Sequence, residues 1–405
     1  MTPATPADSA STSSASTDEL HPNVRALGVV SLCTDLSSEM VYPINPIFLR
    51  SIGAPPFAIG LIEGCAESVA SLLKLYSGYL SDRIGQRKPL TLWGYGVAAL
   101  SKPLLGVAGV WWHVLLARLL DRTGKGLRSA PRDALITETT PESQRGRAFG
   151  FHRAMDTTGA VLGPLIGYCF LRFFPGHLRW LYFLAFLPAL VGVLVLLFLV
   201  REVKKDDPST RIAPPKFTLR GLSPEYRYYL GVLAVFGIGN SSDAFLLLRA
   251  EERGLGPELL LLLYALFNVV EACLAAYAGR LSDRFGRRPL IAAGYGVFAL
   301  VYLGFALLQA PQTVWFLFPL YGFYYTLTGG TQRALAADLA HPERRGMEIG
   351  AFHLLVGIAA LPASLLAGFL YQHLSPAAPF YLGATTALIA AVLLLLGPRT
   401  LSRRN

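Results

Sequence analysis

The chain has 405 residues, of which 53% are hydrophobic and only 15% charged, and its mean hydropathy is +0.45. A composition this apolar excludes a water-soluble globular protein of this length and predicts a protein of the lipid bilayer. The formal net charge of +10 is explained below by membrane topology and requires no nucleic-acid partner.

Polar segments flank and divide the apolar sequence. Residues 1–22 are rich in Ser, Thr, Ala and Pro and lack the basic start and cleavage site of a secretory signal. We expect residues 1–22 to be a disordered cytoplasmic tail and residues 399–405 a second, short cytoplasmic tail. Residues 201–225 form the longest polar interruption and contain a Pro-Pro pair, which predicts a cytoplasmic linker.

Between these segments the sequence holds twelve apolar stretches of about 20 residues, which predict transmembrane helices. The first six lie near residues 26–49, 57–80, 89–109, 112–132, 148–172 and 178–200. The second six lie near residues 226–248, 257–279, 290–309, 313–333, 348–372 and 377–397. We therefore predict an all-α polytopic membrane protein with an N-terminal six-helix bundle, residues 23–200, and a C-terminal six-helix bundle, residues 226–398.

One short polar sequence occurs twice, once in each half. GYLSDRIGQRKPL begins at Gly78, and GRLSDRFGRRPL begins at Gly279. A Gly-Tyr-Gly triplet follows each copy at the same distance, and so do Pro-Glu and Arg-Gly pairs further on. A repeat of this kind predicts a duplicated protein with two pseudo-symmetric halves.

Basic residues are concentrated in the loops on one side of the predicted helices. That side carries Arg83, Arg87, Lys88, Arg145, Arg147, Lys204, Lys205, Arg287, Arg288, Arg344 and Arg345. The loops on the other side hold fewer: Arg50, Arg172, Arg179, Arg249 and Arg253. The positive-inside rule then predicts a multi-pass protein of the inner (cytoplasmic) membrane with both termini in the cytoplasm.

The repeated loop resembles the signature of the major facilitator superfamily: a glycine, an aspartate four residues on, then arginine, glycine and a basic cluster. The resemblance covers nearly the whole chain. It implies two six-helix bundles and transport of a small-molecule substrate by alternating access, without a cofactor, in a monomer. It also implies a gating loop with a charge relay among Asp82, Arg83 or Arg87 and an acid after the fourth helix. The gating residues are Gly78, Asp82, Arg83, Gly85, Arg87, Glu138, Gly279, Asp283, Arg284, Gly286, Arg287 and Asp338.

Physical reasoning on the same loop leaves two interpretations open. Gly85 and Gly286 suit tight turns, and Asp82 and Asp283 could accept hydrogen bonds from the amides that start the next helix. We favour a conformational latch, because sorting by positive charge requires no aspartate. The alternative is that the loop only fixes topology.

The fifth helix carries a second motif, which resembles that of proton-coupled antiporters. Its residues are Gly150, Gly159, Gly163, Pro164 and Gly167, while Tyr168 replaces the final glycine of the family pattern. Two interpretations are open for the Gly-Pro site: a kink in a lipid-facing helix, or a bend that gates transport. Arg118 with Gly124 and Gly126 resembles a third family motif.

Ionisable residues inside the predicted helices are the main candidates for chemistry, because each costs about 3 kcal/mol at a helix centre unless paired or wetted. Asp35 and Glu39 lie one turn apart and can raise each other's proton affinity, so we predict proton coupling there, with Asp156 as a third member. We expect Arg118 and Lys125, seven residues apart, to face the central cavity and meet these acids or an anionic substrate group. His152, one turn from Asp156, is interpreted as structural.

The predicted central cavity takes residues from both halves: Glu63, Glu67, Lys74, Arg118, Asp121, Lys125, Asn240, Asp243, Asn268, Glu271, Tyr321 and Tyr325. Two alternatives remain open. The charges of the first half could only neutralise each other, for example Asp121 with Lys125 or Arg122. The aromatic residues of the tenth helix could only pack or form an interfacial belt.

We predict a secondary transporter, with proton-coupled export ahead of uptake of a charged metabolite or metal-chelate. The alternative of another class is a membrane enzyme or a non-transporting sensor. The sequence shows no metal-ligand spacing, no Gly-x-Ser-x-Gly motif, and no CxxC among its four cysteines. We therefore expect no enzymatic activity, no metal site and no use of ATP.

Overall fold

The computed structural model describes residues 20–202, 222–341 and 344–398. The predicted tails and linker fall almost entirely on residues 1–19, 203–221 and 399–405, which lie outside this range. Regular structure within the described ranges is helical, without strands, which confirms the all-α prediction. The helices form twelve segments, six in each half.

Fourteen α-helices make up these twelve segments within the described ranges, because segments 1 and 7 each consist of two helices. The first half contains α1 (Pro22–Val41), α2 (Asn45–Ser51), α3 (Pro56–Ile84), α4 (Lys88–Gly106), α5 (Trp111–Glu138), α6 (Arg145–Phe173) and α7 (Leu178–Leu199). The second half contains α8 (Pro224–Gly239), α9 (Ala244–Glu252), α10 (Pro257–Phe285), α11 (Arg287–Ala306), α12 (Val314–Leu339), α13 (Arg345–His373) and α14 (Ala378–Leu396).

Eight segments in the described ranges are long and apolar enough to cross a membrane by length and composition alone. The charged helix α5 is not among them. Because α5 packs against both α3 and α4, its charges are shielded by protein rather than exposed to lipid.

Segments 1 and 7 break where the sequence predicted single helices over 26–49 and 226–248. In segment 1, Pro43 and Pro46 lack an amide hydrogen, and a 3-10 turn separates α1 from α2. In segment 7, residues 240–243 leave the helix, and the Ser242 hydroxyl accepts a hydrogen bond from the Ala244 amide at 3.2 Å. The two breaks lie at matching positions of the two halves.

Several helices also run past the apolar stretches that predicted them. Helix α3 ends at Ile84 rather than 80, α5 at Glu138 rather than 132, and α10 at Phe285 rather than 279. Asp82 and Asp283 therefore lie in a last helical turn and not in a loop. Gly85 and Gly286 end these helices with φ of +71° and +86°, a conformation that favours glycine. We call the end of the bundle that carries these two turns the motif face.

The glycines of the fifth segment position α6 against α1. A Cβ atom at Gly159 would lie 2.6 Å from the carbonyl oxygen of Leu32, and one at Gly163 would lie 2.6 Å from that of Leu36. Only glycine allows this approach of two backbones. The motif glycines thus face a neighbouring helix rather than lipid, while both interpretations of the Gly-Pro site stay open.

The two halves meet along α3 with α13 and along α6 with α10. At the end opposite the motif face, the tips α2 and α9 pack together and bury Phe48, Leu49 and Phe245. There Arg50 forms an ion pair of 2.6 Å with Glu251 across the halves. The opposite face is thus sealed. Towards the motif face, side chains of both halves are exposed: Lys74, Arg153 and Arg333.

Candidate functional site

A cavity of about 380 Å³ lies between the two halves. Its first-half wall includes Glu39, Tyr42, Glu63, Glu67, Arg122 and Lys125. Its second-half wall includes Phe236, Asn240, Asp243, Tyr264, Tyr324, Tyr325 and Gln332. The first-half wall therefore carries most of the charged side chains, and the second-half wall carries most of the aromatic rings. The volume suits a small organic molecule.

A second cavity, of about 30 Å³, lies inside the first half among α1, α4 and α5. This volume has room for one or two water molecules. Asp35, Lys102 and Asp121 line it, and it shares Glu39 and Lys125 with the large cavity. The two cavities are thus neighbours joined by the same side chains.

The buried charges of the first half form a chain of ion pairs. Arg118 binds Glu63 with two hydrogen bonds, of 3.1 and 2.6 Å, through Nε and Nη2. Lys102 contacts Asp121 at 2.9 Å, and Arg118 lies 3.5 Å from the same carboxylate. The predicted partners of Arg118, namely Asp35, Glu39 and Asp156, are wrong. The pairing of Asp121 with Lys125 or Arg122 is also wrong, because Lys102 on α4 occupies that position.

Lys102 was not among the site residues predicted from the sequence. The signal was present, because a lysine inside an apolar helix calls for a buried partner. A further ion pair joins Arg122 to Glu67 at 3.0 Å. Both residues line the large cavity, and the Glu67 side chain is 46% exposed.

Asp35 and Glu39 contrast with these paired charges. Neither carboxylate has a basic nitrogen within 4.0 Å among the described residues. Asp35 lines the small cavity, and Glu39 lines both cavities. Lys125 is exposed and lines the same two cavities. It interacts electrostatically with both acids but forms no ion pair in the described ranges.

Asp156 lies on α6 at the edge of this group. Its carboxylate accepts a hydrogen bond from the Ser31 hydroxyl on α1 and lies 3.6 Å from Nδ1 of His152. Asp35 and Asp156 are close enough to interact electrostatically. The close packing of α1 on α6 thus brings three acids into one region.

In the second half, Asp243 begins α9 at the helix break and faces the large cavity. It accepts hydrogen bonds from Tyr321 at 2.6 Å and from Tyr325 at 3.3 and 3.4 Å. Tyr325 lines the cavity, whereas Tyr321 is buried behind it and packs against Tyr324. Packing alone therefore does not account for the aromatic residues of this helix.

Four predicted cavity residues do not line either cavity: Tyr321, described above, and Asn268, Glu271 and Lys74. Asn268 donates a hydrogen bond of 2.9 Å to the carbonyl of Ala160 and so joins α10 to α6. Glu271 lies 3.5 Å from Arg153 across the same interface. Lys74 is exposed and lies nearer the motif face. The helical pattern gives the face on which a residue lies, but not its depth along the helix or the helix that it meets.

The motif face carries the same ion-pair network in each half. Arg87 contacts Asp82 at 2.5 Å, Glu138 at 3.1 Å and the Ser81 hydroxyl at 2.7 Å. Burial alone lowers the pKa of Arg87, but the hydrogen bonds with the two carboxylates raise it above its ordinary value.

In the second half, Arg287 takes the place of Arg87. It contacts Asp338, lies 3.5 Å from Asp283 and donates to the Ser282 hydroxyl at 3.2 Å. Arg83 and Arg284 take no part in the network; Arg284 lies over the Phe285 ring.

The expectation that Asp82 and Asp283 accept hydrogen bonds from helix-start amides is wrong. At the start of α4 that role belongs to Glu202, which accepts from the amides of Arg87 at 2.9 Å and Lys88 at 2.8 Å. The aspartates instead bind arginine side chains, because the extended α3 and α10 place them beside the next helix rather than before it.

Comparison with known proteins identifies the family. The model of the Major Facilitator Superfamily matches residues 27–360. The chain belongs to the major facilitator superfamily. An MFS-type transporter of Methanocaldococcus jannaschii is 35% identical over 93% of this chain and 95% of its own. A multidrug resistance protein, MdtH, of Photorhabdus laumondii is 26% identical over 86% of this chain and 88% of its own.

Solved superfamily structures share the fold. A POT family transporter in complex with 5-aminolevulinic acid superposes with a TM-score of 0.72 at 12% identity, covering 94% of this chain and 96% of its own. A bacterial homologue of the human lysosomal transporter Spinster, in an inward-facing and occupied conformation, gives 0.70 at 15% identity, covering 92% and 94%. Superfamily membership makes this chain a multi-pass membrane protein of a transporter family, with lipid and a small molecule as its partners.

Proposed function

We propose that this chain is a secondary transporter that exports a small organic solute in exchange for protons. The observation that carries the proposal is the position of Glu39. Its carboxylate lines both the cavity between the halves and the small cavity that holds Asp35. A proton bound by these two acids can therefore affect substrate in the adjoining cavity directly.

The exchange of substrate for protons follows from the charges on the cavity wall. With both carboxylates ionised, the group formed by Asp35, Glu39 and Lys125 carries one excess negative charge. Protonation of Glu39 or Asp35 makes this group neutral and so changes what the cavity binds. Asp156, next to Asp35, is a third site where the same proton can reside. Substrate and proton then occupy the cavity alternately as the halves rock.

We place the motif face on the cytoplasmic side of the inner membrane, with both termini there, because the positive-inside rule supports that orientation. The conformation described is then open to the cytoplasm and sealed outside. We also propose that the transporter acts as a monomer, since each chain has its own cavity between its two halves.

Two features support export. The fifth segment carries the glycine motif that resembles proton antiporters, and the MdtH relative is named as a multidrug resistance protein. The alternative is uptake of a charged metabolite or metal-chelate, and it is favoured by Lys125, an exposed cation on the cavity wall. A membrane sensor would use the same cavity for binding without net transport.

Transport into proteoliposomes would separate these functions. We would reconstitute the purified protein into lipid vesicles and measure the accumulation of ethidium, glutamate and ferric citrate in the lumen under imposed pH gradients. Antiport predicts accumulation of one of these when the lumen is acidic. Accumulation driven by an acidic exterior would instead establish uptake, and binding without accumulation under either gradient would leave a sensor.

The coupling residues have a matched control. Asp35→Asn and Glu39→Gln remove titratable sites with little change in shape and should abolish gradient-driven accumulation. Glu258→Gln, in the first turn of α10 and away from both cavities, should leave it unchanged. Unaltered gradient-driven transport in both cavity variants would remove these acids from the mechanism.

A further inference from the structure

The second-half wall of the large cavity contains a carboxylate held among aromatic rings. Asp243 lies at the break of segment 7, where Tyr321 donates to its Oδ1 atom at 2.6 Å. The Oδ2 atom receives only the long hydrogen bond from Tyr325, at 3.3 Å. That oxygen keeps capacity for another donor, because a carboxylate oxygen can accept more than one hydrogen bond.

The charges of the cavity do not balance on this side. The acidic and basic side chains that line it are Glu39, Glu63, Glu67, Arg122, Lys125 and Asp243. In the first half, Glu63 pairs with Arg118 and Glu67 with Arg122, while Lys125 interacts with its neighbouring acids. Among the described residues of the second half, no basic side chain lines the cavity. Asp243 is thus an anion without a cation on its own wall.

Aromatic rings surround this anion. Tyr42, Tyr264 and Tyr325 line the cavity next to it, with the Tyr42 and Tyr264 ring centroids 5.5 Å apart. Phe267 closes the cluster from behind, with its centroid 5.3 Å from that of Tyr325. The faces of aromatic rings attract cations, and they offer apolar area to an organic body.

We propose that Asp243 and these tyrosines form an ammonium-binding subsite, so that the substrate carries a protonated amine on an apolar or aromatic body. The proposal rests on the proposed function in one respect, that the large cavity is the transport cavity. The ammonium would donate to Oδ2 of Asp243 and lie against the tyrosine faces, while Tyr321 fixes the carboxylate from behind. Lys125 on the opposite wall would disfavour a cation placed on that side and so orient the substrate.

The test is equilibrium binding without any gradient. We would titrate the purified full-length chain at pH 7 with 4-phenylbutylamine, 4-phenylbutan-1-ol and 4-phenylbutyrate, and subtract detergent-only titrations. Each compound has a phenyl ring on a four-carbon chain, and the three differ in charge. The parent should bind the amine at least about tenfold more tightly than the alcohol or the acid. Asp243→Asn should remove that preference, whereas Asp243→Glu should keep the amine ahead of the alcohol.

Controls make the outcome specific. Glu258→Gln should bind all three compounds as the parent does. Tyr321→Phe should weaken amine binding by a few-fold while alcohol binding stays constant, because only the carboxylate's support is lost. Gel filtration of each variant would establish that it is folded, and if the Asp243 variants do not fold, the amine-to-alcohol ratio of the parent decides.

Equal binding of amine and alcohol by the parent would overturn the proposal. So would preferred binding of 4-phenylbutyrate that is lost in Lys125→Met, since the cavity would then select an anion. An Asp243→Asn variant that keeps full amine preference but loses proton-driven transport would make Asp243 a proton site. Because no gradient is applied, failure of proton-coupled export leaves this test unaffected.

Discussion

Two glutamates lie one turn apart on α3, and one carboxylate is buried while the other is exposed. This difference determines how much each ion pair contributes to the free energy of unfolding. The Glu63 side chain is 3% exposed and binds Arg118 with two hydrogen bonds. The Glu67 side chain is 46% exposed and binds Arg122 with one contact. Removing one partner of a buried pair leaves an uncompensated charge, whereas a wetted pair contributes little.

We therefore predict different costs for Glu63→Gln and Glu67→Gln. The first should destabilise the protein by about 3 kcal/mol or more, and the second by at most about 1 kcal/mol. Denaturation of the purified variants in one detergent would measure the difference. Equal losses would mean that Arg118 is solvated in solution.

Sequence reasoning located most charged side chains of the site but not their partners. Periodicity placed Arg118 and Asp121 on an inward face, yet it cannot say which neighbouring helix supplies the opposing charge at the same depth. Lys102 was missed for a related reason, since a single lysine changes the hydropathy of α4 very little. Asp243 lines the large cavity, but its tyrosine donors depend on how α12 packs, which the sequence does not show.

At the scale of helices, the glycine motif determines how close α1 comes to α6. That contact brings Asp35 and Asp156 near each other, because the two backbones meet at Gly159 and Gly163 without intervening side chains. Proton coupling as proposed here thus depends on packing between two helices of the same half. None of the motif glycines lines either cavity.

Gly159→Ala should cost about 1–3 kcal/mol, because its methyl group would collide with backbone atoms of α1. Gly150→Ala provides the matched control in the same helix, as nothing lies within 4 Å of its Cβ position, and it should be neutral or slightly stabilising. Thermal unfolding of both variants in detergent would measure this. A neutral Gly159→Ala would show that the helices separate easily.

Hydropathy predicted twelve helices because each span must be apolar over about 20 residues. It missed the charged last turns of α3, α5 and α10, which continue the helix beyond the apolar stretch. It also missed the breaks in segments 1 and 7, because averaging over a window hides the two prolines of segment 1 and the four polar residues 240–243 of segment 7. Both errors concern residues where function is concentrated.

For the whole molecule, the two faces are held differently. The sealed face has a pair between halves, Arg50 with Glu251, whose side chains are 49% and 26% exposed. The motif face has pairs within each half, around Arg87 and Arg287. The first kind resists separation of the halves directly, and the second keeps each half rigid.

Glu251→Gln should therefore shift the equilibrium towards opening of the sealed face by about 1.4- to fivefold, as a partly exposed pair contributes about 0.2–1 kcal/mol. Labelling of a cysteine introduced at Ile47, buried near this seal, would report it. The charge reversal of both partners, Arg50→Glu with Glu251→Arg, should restore the parent labelling rate. No recovery would mean that the contact does not act as a pair.

Asp82→Asn tests the latch proposed for the motif face. We expect Asp82 to hold the cytoplasmic face closed in the outward-facing state, so its loss should favour cytoplasmic opening. The protein should still fold, since Glu138 remains bound to Arg87. Cysteine labelling at Ser71, on the cavity wall, would measure this opening. If labelling matches the parent, Asp82 and its repeat counterpart Asp283 serve topology alone.

The order of the buried charges along the chain has a consequence for biogenesis. Helix α5 is too charged to enter a bilayer by itself, but its partners Glu63, Glu67 and Lys102 all precede it in the sequence. When α5 leaves the ribosome, α3 and α4 have already been made, so Arg118, Asp121 and Arg122 can each find a counter-ion at once. A chain truncated after Glu138 should thus insert all of its helices. Moving α5 ahead of α3 by circular permutation should instead prevent α5 from inserting into the membrane.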